Sequence, residues 1–180
     1  MQTSINPRGQ PVAFAGLISD SYAGPDLVSS FSEETVNSIP FGTAVKQGVA
    51  PKGALLMSGG GDAIKGIVAF DFTHAPGVFG DIDAGALGIV PKGQLRILRR
   101  GRVWVVIDQG IVTIAPFSDR GFIRYSANGA GNLIVGAVSN VTDGAHNTDM
   151  SKVVIFTSTV QVAADGTKIA EVEVDFTNKP

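Results

Sequence analysis

The sequence predicts a mainly β protein: a compact β-barrel or sandwich-like domain of short antiparallel strands with an extended N-terminal arm. Three observations carry that prediction. From about residue 41, short β-branched or aromatic runs alternate with Gly, Pro, Asn and Asp, the punctuation of strands joined by tight turns. Gly (23) and Pro (9) exceed the share of an average soluble chain yet fall short of low complexity. No segment sustains a 3.6-residue apolar period. The length of 180 residues suits one domain, or one domain with an arm.

Residues 1–40 are assigned to the arm and 41–180 to a single β domain. In the arm, Phe14, Leu17, Ile18, Tyr22 and Leu27 stand isolated between Pro, Gly and Ser. A true linker is poor in apolar residues, so this segment reads as a surface or partner-binding feature. Its best helix candidate is 26–37, with Leu27, Val28 and Phe31 on one side, although its serines disfavour a helix. Beyond it, candidate strands are 41–47, 54–58, 64–71, 94–99, 102–108, 122–126, 132–138, 153–163 and 168–176. The stretch 72–85, with Val78 and Phe79, reads as a second excursion from the compact body.

A faint repeat separates two segments by 40 residues: Val49-Ala-Pro-Lys-Gly-Ala-Leu and Ile89-Val-Pro-Lys-Gly-Gln-Leu. Pro sets φ and Gly tolerates what a Cβ resists, so each Pro-Lys-Gly predicts a β-turn, followed by strand, glycine and strand. The last strands are legible from parity. Ala170, Val172, Val174 and Phe176 alternate with Glu171, Glu173 and Asp175. A three-residue loop 164–166, with Gly166 left-handed, keeps apolar opposite apolar and pairs Val160 with Ala170, Phe156 with Val174 and Val154 with Phe176.

A formal charge of −2 is too balanced for a general nucleic-acid binder. With no cysteine, disulfides, thiolate metal sites and a Cys nucleophile are excluded. The N-terminal residues lack signal-peptide order and no apolar run approaches membrane-spanning length, so a soluble chain made in the cytoplasm, without membrane or cofactor, is expected. Asp143, His146 and Asp149 could in principle share a metal ion, but they read as a polar exposed loop. His74 has no nearby carboxylate before Asp81, and Gly-x-Ser-x-Gly is missing. The run Ser58-Gly-Gly-Gly-Asp62 lacks the Lys-Ser/Thr and helix of a phosphate loop and reads as a wide hairpin loop. Lys92, Arg96, Arg99, Arg100 and Arg102 gather five of fourteen cations within eleven positions. Strand alternation with a turn at Gly101 would split them between faces, giving a solvated rim, an interface with acidic groups of a protein partner or, least favoured, a nucleic-acid contact.

In order and spacing, several segments resemble the structural cement, or head decoration, proteins of tailed bacteriophages. These are Pro40-Phe-Gly-Thr-Ala-Val45, the Pro-Lys-Gly turns, Gly101-Arg-Val-Trp-Val105, and the ending from Phe156-Thr157 through Ala163-Ala-Asp-Gly166 to Ala170-Glu-Val172. The resemblance spans roughly residues 40–176. It implies a non-enzymatic virion protein, a homo-oligomer and often a trimer, that binds the outside of the head and clamps the major capsid protein lattice. No catalytic, metal or cofactor residue carries over. The expected capsid or subunit interface comprises Arg96, Arg99, Arg100, Arg102, Phe14, Leu17, Ile18, Tyr22, Val78 and Phe79. A receptor- or carbohydrate-binding module of a fibre or adhesin is the alternative, thinly supplied for sugar stacking by one Trp and two Tyr.

Overall fold

A computed structural model describes residues 13–19, 25–70, 88–128, 133–163 and 166–177, and all regular structure among them is β. In chain order the strands are β1 (Asp26–Ser32), β2 (Ile39–Pro40), β3 (Ala44–Gln47), β4 (Gly53–Leu56), β5 (Ile64–Ala69), β6 (Gly88–Ile89) and β7 (Gln94–Val106). They continue with β8 (Phe122–Arg124), β9 (Val138–Ser139), β10 (Asn147–Asp149), β11 (Val154–Phe156), β12 (Gln161–Val162) and β13 (Lys168–Asp175).

Five strands close a barrel in the order β1-β4-β3-β5-β7, with β7 pairing back onto β1. All contacts in the ring are antiparallel except β1 with β4. Closure leaves no open edge in the ring. Alternate residues of the wall serve two cores. Val45, Ala54, Val68, Leu95 and Ile97 belong to one, while Ala44, Met57, Ile67 and Leu98 belong to the other. Burial on both faces explains why Ile67, Val68 and Ala69 run consecutively apolar instead of alternating with polar residues.

The second core is completed by an extension. Beyond Gly101, β7 leaves the ring and pairs with β13, which in turn carries β11 and β12. On the other side of this half of β7 lies segment 13–19: Ile18 bridges Val103, Gly16 N–H donates to Trp104 O at 2.7 Å, and Trp104 N–H donates to Leu17 O at 2.9 Å. A smaller sheet, β10-β8-β9, supplies Ile123 and Val138 to the same core.

Four expectations are corrected. The helix at 26–37 is absent, because its Leu27, Val28 and Phe31 lie on β1, which pairs along β7 and seals the barrel. The packed body therefore includes residues assigned to the arm. There is no turn at Gly101; β7 runs unbroken, and Gly101 at φ 131 sits where its partners change. The loop at 58–62 does not join a hairpin pair, since β4 and β5 lie on opposite sides of β3. In the terminal hairpin Phe156 pairs with Val172 and Val154 with Val174, two residues from the expected register. Close to the turn the expected register holds, with Gln161 opposite Ile169. Between the two, residues 157–160 take two more positions than the opposing strand, and Ser158 Oγ accepts the Glu171 N–H at 2.8 Å. A shift of two preserves parity, so the apolar faces still meet. Gly166 adopts the expected left-handed φ of 83.

Candidate functional site

The arginines of β7 meet carboxylates of their own chain. Arg99 lies 3.9 Å from Asp26, Arg100 3.9 Å from Asp175, and Arg102 3.1 Å from Glu173. Register sets two of these pairs, with Arg100 opposite Asp175 and Arg102 opposite Glu173 on β13, while Asp26, the register partner of Arg100 on β1, lies near Arg99 where the pairing shifts between Asp26 and Leu27. Arg96 lies on the exposed side of the same strand, opposite Ser29. Phe14 packs edge-on against Phe70 at 4.7 Å between ring centroids, while Leu17 and Ile18 are half-buried along β7. Tyr22, Val78, Phe79 and His74 lie outside the described residues.

Asp143, His146 and Asp149 are engaged separately. Asp143 accepts from Asn128 Nδ2 at 2.7 Å and from Arg124 at 3.4 Å. The Asn128 amide, then the Arg124 guanidinium, hold its carboxyl below the ordinary aspartate range against the opposing effect of burial. His146 Nδ1 meets Ser126 Oγ at 2.9 Å. Asp149 accepts the Ser151 N–H at 2.8 Å. Ser126, His146 and Asp143 are neighbours, yet the carboxylate faces Asn128 and Arg124 instead of orienting the imidazole. A relay of the carboxylate–imidazole–hydroxyl type needs that orienting bond.

Sequence reasoning missed the buried pair next to this loop. Arg124, 1% exposed, bonds Asp108 through Nε at 2.7 Å and Nη2 at 2.6 Å. Hydrogen bonding to Asp108 raises the guanidinium pKa further. The only available signal was the arginine within the apolar run 122–126.

The second feature missed is the meeting of the repeated turns. Both form, with Gly53 N–H donating to Ala50 O and Gly93 N–H to Val90 O, each at 2.9 Å. They flank β1: Phe31 is the register partner of Gly53 on β4 and of Gln94 on β7. Glu33, just after β1, ties them together. Its carboxylate accepts N–H groups of Ala50 at 2.7 Å and Val49 at 2.9 Å, which hold its pKa below the ordinary range. Its carbonyl accepts the Lys92 ammonium at 3.0 Å. Gln47 Nε2 and Lys65 Nζ donate to Ala50 O at 2.7 Å and Gly53 O at 2.8 Å. Lys92 takes a left-handed φ of 63, at a turn position that ordinarily favours glycine. Around this apex Val49 is 94% exposed, Val90 48% and Phe31 37%, beside the exposed Lys52 and Lys92.

A family model described as "Structural cement protein (E217 gp24/Pam3 gp6)" matches residues 1–175. Among solved structures, a chain from "The capsid of Myoviridae Phage XM1" is similar at a TM-score of 0.62 and 14% identity, over 91% of this chain and 90% of that one. A search of curated proteins returns no match.

Proposed function

Because this chain belongs to the structural cement protein family, we propose that it binds the outer surface of a phage head and stabilises the lattice of the major capsid protein. A capsid-associated structural role follows from membership itself. The outer face, the major capsid protein as partner and a trimeric state are the finer parts of the proposal. The observation that carries it is the extent of the match, 1–175 of 180 residues, which covers the barrel, the extension and the N-terminal segment together.

A protein that binds the assembled shell and not its separated subunits stabilises the shell by mass action, by about 2.7 kcal/mol per site at 100 times the dissociation constant. An oligomer that spans several subunits adds linked contacts. The test is to add purified protein to heads that lack it and follow cosedimentation and survival under heat and low salt. Saturable binding with raised survival is expected. Heads that neither bind the protein nor gain resistance would remove the cement role.

A further inference from the structure

We infer that the apex formed by the two Pro-Lys-Gly turns is the surface that meets the shell, and that it fits an apolar recess rimmed by carboxylates on the major capsid protein. This rests on the capsid-binding reading above. The first support is charge. Arg99, Arg100 and Arg102 each have a carboxylate of their own chain within 3.9 Å, so their strand presents a largely compensated surface. At the apex the cations are not matched in this way. The Lys92 ammonium sits on a backbone carbonyl, and no described residue takes that of Lys52. Glu33 accepts two backbone N–H groups there and interacts through space with Lys92 and Lys65, so three cations, Lys52, Lys65 and Lys92, gather around this single carboxylate. In a chain of net charge −2, this leaves a local positive apex suited to acidic groups.

The second support is apolar exposure at the same place. Val49 is the most exposed large hydrophobic residue among those described, and Val90, which answers Ala50 in the repeat, is exposed at the other turn. Phe31 lies between them. Exposed apolar side chains on turns that also carry Lys52 and Lys92 combine the hydrophobic and polar elements of a protein interface. The third support is preorganisation: Glu33, Gln47 and Lys65 hold the first turn and the bond from Lys92 to Glu33 O ties the second to it, which lowers the ordering cost of binding.

The experiment uses the full chain and DNA-free shells of the major capsid protein, so that carboxylates and not phosphates supply the negative charge. Cosedimentation isotherms are measured for wild type, K52E, K52E/K92E, V49S/V90S and R99E/R100E/R102E, with circular dichroism to verify folding. K52E touches no described side-chain hydrogen bond, so it isolates charge from turn structure. The inference expects affinity to fall about tenfold or more in K52E/K92E, with a smaller drop in K52E, and both losses to shrink as salt rises. V49S/V90S weakens binding with the salt dependence unchanged. Wild-type affinity in folded K52E/K92E, with binding lost in the triple-arginine variant, would move the interface to β7 and overturn the inference while keeping the cement role. Failure of wild type to bind would remove the cement role and the inference with it.

Discussion

Arg124 is the largest fully buried side chain among the described residues, and it is charged. Its bidentate pair with Asp108 offsets a desolvation cost that neither partner could carry alone. Asp108→Ala, which leaves the guanidinium only its longer 3.4 Å contact with Asp143, should cost about 3 kcal/mol in urea unfolding. Arg102→Gln breaks a half-exposed pair with Glu173 and should cost no more than about 1 kcal/mol. Equal losses would show that burial does not separate the two pairs. Glycine offers a similar contrast. At Gly66, φ 153, a Cβ would stand 2.3 Å from Leu98 O of the neighbouring strand, so Gly66→Ala should cost about 3 kcal/mol or more. At Gly101 the same Cβ would meet nothing closer than 3.6 Å, and Gly101→Ala should cost only the backbone strain, about 1–2 kcal/mol.

Turns in this protein are closed by carboxylates acting on backbone N–H groups. Glu33 serves the first Pro-Lys-Gly turn, Asp149 the turn before β11, and Asp62 the glycine run, accepting from Ser58 N–H at 2.6 Å and Gly59 N–H at 2.8 Å. For Asp62 burial acts upward, but those N–H groups and Lys46 outweigh it. All three folded pKa values are thus depressed. The stability they contribute is present above the unfolded values of 4.5 for Glu and 3.8 for Asp and is lost as pH falls through the lower folded ones. The melting temperature should therefore change little from about pH 7 to 5.5 and fall below pH 4.5. Glu33→Gln should make that acid fall shallower. A melting curve that falls equally steeply in the variant would remove Glu33 from the acid response.

Closure of the barrel depends on β1, which bonds β4 on one side and β7 on the other. Deleting residues 1–38 removes this strand and exposes two unpaired edges, so the product should lose its cooperative melting transition and aggregate. Deleting 1–12 leaves every described strand in place and should preserve the β spectrum and a cooperative melt. Together the truncations locate the limit of the packed body; a folded 39–180 fragment would show that the barrel closes without β1.

Alternation and turn chemistry determined much of this protein without any tertiary information. The β class, the Pro-Lys-Gly turns, the left-handed Gly166 and the parity of β13 all arise from neighbours in the chain, where φ preferences and a two-residue period act locally. Segment 26–32 was illegible for the opposite reason: Leu27 and Val28 become strand residues only because β7, about seventy positions later, offers a register for them. Gly101 carries the same lesson. A glycine between two apolar runs suggests a turn, and only the competition of β1, β5 and β13 for one long strand keeps it extended. The arginines of β7 were visible as a cluster, but their cross-strand carboxylates came from sequence positions 26, 173 and 175. Likewise the repeat was legible while its meaning was not, because Phe31 and Glu33 draw the two turns together through long-range pairing. Local conformational preference is written in adjacent residues; which strands share an edge, and so which charges are compensated and which remain exposed, is decided by closure of the whole sheet.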